Sequence, residues 1–134
     1  MANIHDRVMF VAAAFATMLL GLWVHRGGLA LPPGPRDVAG DALWATMIAW
    51  GTSAILPTWS AHWRAGIAFL GCGSVEVSQL IHTPLLDAWR ATTLGQLVLG
   101  SGFDVRDLAA YAVGIALAVV IERIWRWSIR ARYA

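Results

Sequence analysis

The hydrophobic positions of this chain fall in four long runs rather than in alternation. They are VMFVAAAFATMLLGLWV at 8–24, ALWATMIAWGTSAIL at 42–56, AGIAFLGCGSVEVSQLI at 65–81 and LAAYAVGIALAVVIERIW at 108–125. About 20 apolar residues cross a bilayer as a helix. Only helices and closed barrels satisfy every backbone group in lipid, and unbroken patterning selects helices. The expected fold is an all-α integral membrane protein. A single domain over 1–134 carries a four transmembrane helix bundle, with spans at about 8–25, 41–57, 65–82 and 105–127. The first run also resembles a signal peptide. Its apolar core is long for one, and Trp23 stands where a small-residue cleavage site belongs, so it is read as a span.

Between the runs, PTWSAHWR is short, which makes the second and third helices neighbours. The connection GGLALPPGPRDVAG, rich in Pro and Gly, reads as an irregular loop. A later one contains LLDAWRATTLGQLVL, residues 85–99, where Leu85, Leu86, Trp89, Leu94, Leu97 and Val98 could bury at a membrane surface. It reads as an extra interfacial or re-entrant helix in the second outer loop.

Composition supports lipid as the solvent. The chain is 58% hydrophobic and 13% charged, against about 25% charged in soluble domains. All ten basic residues are arginine. The net charge of +2 is small, and no basic stripe suited to nucleic-acid phosphates appears. The single cysteine, Cys72, forms neither an internal disulfide nor a zinc site and reads as a packing residue. Arginines set the orientation. Arg123, Arg126, Arg130 and Arg132 in the tail join Arg7 and Arg64 on one side. The other side holds Arg26, Arg36, Arg90 and Arg106, diluted by acids. Both termini are therefore expected in the cytoplasm, with the protein multi-pass in a bacterial inner membrane. Trp23 and Trp44 mark one interface, and Trp59, Trp63, Trp125 and Trp127 the other. Trp50 falls mid-span as a packing residue.

This topology gathers polar residues. Six of the eight acids lie toward the outer end, all but Asp6 and Glu122. Glu76 and Gln79 are three apart and share a helix face, as do Asp104 and Asp107, with Tyr111 one turn beyond. A carboxylate facing lipid costs about 2.5–3.5 kcal/mol at a helix centre, so Glu76 should face inward. Arg36 and Arg106 are the natural counter-charges, since guanidinium grips carboxylate in a bidentate fork. Asp41 precedes Ala42 as a helix cap should, and Asp107 suits a helix dipole. His82 reads as a membrane-edge histidine. Ala110, Gly114 and Ala118, four apart, form a close-packing face.

RDVAGDALW (36–44), EVSQL (76–80) and GFDVRDLAAYAVG (102–114) together resemble the DUF2809 family of small bacterial membrane proteins. The spacing matches over nearly the whole chain. The order Glu-x-x-Gln, Asp-x-x-Asp and a small-residue helix is also similar to VanZ-like proteins, which are linked to resistance to teicoplanin-type antibiotics. Tyr111 stands where those proteins usually carry Asn, which favours the first family. The resemblance points to Arg36, Asp41, Glu76, Gln79, Asp104, Asp107 and Tyr111; Arg106 joins them by its charge.

Three functions follow. The leading one is binding of membrane lipids, with a polyprenyl-linked or phospholipid head group held at the outer-leaflet end. Arg36 and Arg106 would hold phosphate, while Glu76, Gln79 and Asp107 read hydroxyl or amine groups. A membrane enzyme using clustered carboxylates, with or without a divalent metal, is the second. No Ser-His-Asp set, His-rich metal motif or phosphate-cradling glycine loop supports it, so neither metal site nor cofactor is assigned. The third is an accessory subunit in which the polar set is folding glue, worth about 0.6 kcal/mol per contact. A homo-oligomer is compatible with all three.

Overall fold

The computed structural model describes residues 4–100 and 102–133. Residues 1–3, 101 and 134 lie outside it, as does the side chain of Arg132, so that arginine is counted from sequence alone. The described chain is all-helical. The six helices are α1 (Ile4–His25), α2 (Pro33–Ile55), α3 (Ala61–Ser78), α4 (Pro84–Arg90), α5 (Thr93–Leu99) and α6 (Val105–Tyr133). Two of them, α1 and α6, are long and apolar enough to cross a membrane. At 1.5 Å per residue the 22 residues of α1 extend about 33 Å.

Helix α2 touches α1, α3 and α6, and α3 also packs on α6. Contacts fix the directions. Phe10 stacks on Trp50 with ring centroids 6.0 Å apart, while Gly21 lies against Leu43, so α1 and α2 run antiparallel. Asp104 and Tyr111 meet Glu76, whereas Glu122 meets Arg64, so α3 and α6 are antiparallel too. Thr46 reaches the Gly114 carbonyl near the start of both α2 and α6. The order is up, down, up, down, and the beginning of α1 shares an end with the later part of α6.

The core is built mainly from small side chains and a few rings: Phe10, Ala45, Ala49, Trp50, Ala68, Cys72, Tyr111, Ile115 and Ala118. The expected close-packing face is real. Ala110, Gly114 and Ala118 are buried, and a Cβ on Gly114 would overlap the Ala42 carbonyl. The Thr46 hydroxyl lies 2.7 Å from the Ala42 carbonyl oxygen and 2.9 Å from that of Gly114. Trp50 and Cys72 are buried as packing residues. Large apolar side chains face outward instead, among them Val8, Val11, Phe15 and Leu19 on α1 and Val113, Leu117, Val120 and Ile124 on α6.

Several boundaries differ from the sequence-based expectation. Helix α2 starts at Pro33 rather than near 41, and so absorbs part of the expected irregular loop. Proline fits a first helical turn, whose N–H groups lack intrahelical partners anyway. Asp41 is consequently an interior residue of α2, not its cap. The segment 85–99 is two helices, not one. Thr83 and Thr92 each cap a helix, accepting from Leu86 N–H at 3.2 Å and Gly95 N–H at 3.0 Å. Gly100, at φ 67°, ends α5 in the left-handed region that glycine favours. The cap of α6 is Asp104, whose Oδ1 accepts the Arg106 N–H at 2.9 Å, while Asp107 lies in the first turn. Trp44 is half-buried against Tyr111, centroids 5.9 Å apart, rather than a free interfacial ring.

Candidate functional site

Glu76 is fully buried on α3. Its Oε1 accepts the Asp104 backbone N–H at 2.7 Å. Its Oε2 accepts the Tyr111 hydroxyl at 2.9 Å and the Gln79 amide at 3.3 Å. Three neutral donors thus hold one carboxylate and tie the end of α3 to the start of α6. Gln79 lies just past the last turn of α3 and is buried, with Oε1 making no hydrogen bond. Gly100 packs so closely on its amide that a Cβ there would overlap Nε2, which brings the end of α5 against the site.

Beside Glu76, Asp41 of α2 and Asp107 of α6 bring their carboxyl groups close enough to interact. Both are half-buried. Asp41, Asp107, Glu76 and the free oxygen of Gln79 make this end rich in acceptors. Among the described residues, no group of three or more His, Cys, Asp or Glu has an arrangement able to hold a metal ion.

The two expected counter-charges are elsewhere. Arg36 donates through Nη2 to the Leu31 carbonyl at 2.9 Å. Arg106 turns to Asp104, its Nε 2.9 Å and 3.1 Å from the two carboxylate oxygens. Hydrogen bonds from the Arg106 side chain and backbone hold the Asp104 carboxyl below the usual carboxylate range. Six of the eight sequence candidates, Asp41, Glu76, Gln79, Asp104, Asp107 and Tyr111, therefore converge. Arg36 and Arg106 do not join Glu76. His82 is exposed and lies 3.2 Å from Asp87.

Two arginines acquire roles that the sequence reading gave them only as charge. Arg90 is buried and donates to the Ser78 carbonyl at 2.7 Å and the Ile81 carbonyl at 2.8 Å. It thereby satisfies acceptors at the C-terminal end of α3. At the opposite end of the bundle, buried Arg64 donates through Nη2 to both oxygens of buried Glu122, at 2.7 and 3.0 Å. Arg126 Nε reaches the same carboxylate at 2.8 Å, and the Arg64 guanidinium sits 5.3 Å above the Phe10 ring. The signal was present: Glu122 interrupts the fourth apolar run much as Glu76 interrupts the third.

The family model DUF2809, protein of unknown function, matches residues 31–115, a stretch that contains every residue of the acceptor-rich end. No solved structure matches the chain.

Proposed function

The chain belongs to the DUF2809 family, and from that premise we propose a multi-pass membrane protein that binds a donor-rich envelope amphipath. The ligand is a polyprenyl-linked or phospholipid molecule whose head group carries hydroxyls or amines. It sits at the end of the bundle where α2 and α6 begin. The residues that meet it are Asp41 and Asp107, with Gln79, hydrogen-bonded to Glu76, behind them. Glu76 and Tyr111 hold the frame, and Asp104 and Arg106 fix the start of α6.

The four long helices span the inner membrane of a bacterium as one domain, with α4 and α5 at headgroup depth. Support comes from the up-down order, the outward apolar faces of α1 and α6 and the spanning length of those two helices. The arginine-rich end carrying both termini is cytoplasmic, as the arginine bias requires. The motif order Glu-x-x-Gln then Asp-x-x-Asp keeps a VanZ-like relationship within this reading.

The surplus of acceptors carries the proposal. Two half-buried carboxyls, Asp41 and Asp107, lie near each other and near Glu76, and a buried amide oxygen has no donor. A buried acceptor without a donor costs about 1–3 kcal/mol, which a ligand hydroxyl or ammonium would recover. The hydroxyls or amines of the head group, rather than its phosphate, meet the carboxyls, because Arg36 is turned to the Leu31 carbonyl and Arg106 is occupied by Asp104.

The test is mass spectrometry of molecules retained by purified wild type, Asp41→Asn and Asp107→Asn. A single hydroxyl- or amine-bearing envelope lipid, retained by wild type and depleted about tenfold in either variant, is the expected result; each lost charged contact corresponds to about 1.5–3 kcal/mol. Equal, unselective lipid in all three proteins would overturn the reading and leave the cluster as folding glue.

A further inference from the structure

At the end opposite the acid-lined cluster, a cavity of about 300 Å³ is lined by Pro57, Trp59, Ala61, Arg64, Glu122, Arg123 and Arg126. We propose that this cavity is a phosphoryl-binding site, independent of the donor-rich ligand assigned to the other end.

Three observations converge on an anion. The first is charge. Glu122 is shared by Arg64 and Arg126, and Asp6 lies 4.0 Å from Arg126. Arg123 lines the cavity, is exposed, and makes no ion pair among the described residues. Three arginines against Glu122 and Asp6 leave the surroundings with one surplus positive charge.

The second is Arg64. It is 4% exposed, and its Nε and Nη1 have no hydrogen-bond partner. Guanidinium carries five donors in a fixed fork, and Glu122 engages only Nη2. A buried charged side chain with two idle nitrogens is costly unless something accepts from it.

The third is α3. Its cap position, Ser60, makes no side-chain capping bond, and Ala61 lines the cavity. The first-turn N–H groups have no partner within the helix, and the positive end of the helix dipole lies there. An uncapped helix start, an under-used buried guanidinium and an unpaired arginine around one cavity form a phosphate cradle in chemical terms.

The phosphoryl group has two sources, an anionic lipid head group or free phosphate. Trp59, Trp63 and Trp127 are exposed at this end, as rings at headgroup level are, which puts a lipid phosphate within reach.

The experiment uses the full chain in nanodiscs and reads retained lipid by native mass spectrometry. Phosphatidylglycerol is compared with phosphatidylcholine, and inorganic phosphate is then titrated as competitor. Wild type should prefer phosphatidylglycerol, and Arg123→Gln should lower that preference about fivefold. Arg64→Lys keeps the charge but withdraws the fork and should lower it too. Arg130→Gln is the control: Arg130 is exposed on the same helix but does not line the cavity.

Displacement of the lipid by inorganic phosphate supports the site with a free phosphoryl group as a sufficient ligand. Resistance to phosphate, with preference still lost in Arg123→Gln, supports it with a lipid head group as the ligand. Equal loss in Arg130→Gln and Arg123→Gln would mean a general surface field and overturn the proposal. So would an unchanged preference in both Arg123→Gln and Arg64→Lys.

Discussion

Both ends of the seam between α3 and α6 bury a glutamate, and the two are solvated in opposite ways. Glu76 is held by neutral donors: a backbone N–H, a tyrosine hydroxyl and a carboxamide. Glu122 is held by two guanidinium groups, one of them itself buried. Neutral donors can reorganise. A hydroxyl rotates, an amide flips, and Gln79 already has an idle oxygen. Guanidinium groups only donate, so the Arg64–Glu122 end requires an acceptor at position 122 and cannot reverse its hydrogen bonds. The first arrangement tolerates change and suits a site that exchanges partners. The second fixes α3 against α6 and lends its spare donors to whatever enters the adjoining cavity.

The sharpest way to break this comparison is the same chemical change at both ends. Glu122→Gln keeps volume but turns one oxygen into a donor facing donors, with Arg64 left buried and under-compensated. Breaking a buried ion pair costs about 3–5 kcal/mol, and the expected loss is about 3 kcal/mol, read from unfolding in detergent. Glu76→Gln faces groups able to answer. The Asp104 N–H keeps its acceptor, the Tyr111 oxygen accepts from the new amide, and Gln79 presents its free oxygen. The expected loss is about 1 kcal/mol. Equal losses would show that the two ends do not differ in the way described.

Between these in size stands Gly114→Ala. The new Cβ meets the Ala42 backbone, and neither helix can yield without moving. Overpacking of this kind costs about 1–3 kcal/mol, and about 2 kcal/mol is expected. Gly114 lies about one turn from Tyr111 and two turns from Glu122 along α6. Its effect should therefore be non-additive with Glu76→Gln and additive with Glu122→Gln, since coupling follows contact. Detergent unfolding of the two double variants checks this.

Much of this architecture was readable because long unbroken apolar runs leave few options. Runs of apolar residues had to be helices, and Glu76, Gln79, Asp107 and Tyr111, spaced by helical turns, had to face inward together. Partners were harder to read. Arg106 had Asp104 two residues away, and Arg36 had the Leu31 carbonyl five residues away. Short loops close at less entropic cost than long ones, so both arginines took local acceptors instead of reaching for Glu76. The helix break at 91–92 came from a threonine cap inside an apolar segment, which hydrophobic periodicity does not register. The start of α2 was hidden by prolines that look like loop but suit a first turn. Arg64 and Glu122 lie 58 residues apart, and pairing at that distance required the antiparallel fold to be known.

The smallest expected effect is a pH response confined to one end. Asp104 accepts from Arg106 and is lowered below the ordinary carboxylate range. A carboxyl lowered by folding contributes stability that is present above its unfolded pKa and lost as pH falls through the folded one. Acidification below the ordinary carboxylate range, about pH 4, should therefore progressively release the Asp104–Arg106 contact. Amide protection at 104–107, taken relative to intrinsic exchange at each pH, should fall before that around Glu122. The Asp104 N–H is itself a donor to Glu76, so loosening there reaches the buried carboxylate through one backbone bond. Asparagine remains a good helix cap, so Asp104→Asn should keep α6 folded and abolish the acid response at 104–107. A response that persists in Asp104→Asn, or that appears at both ends together, would place its origin outside this pair and remove the independence of the two ends.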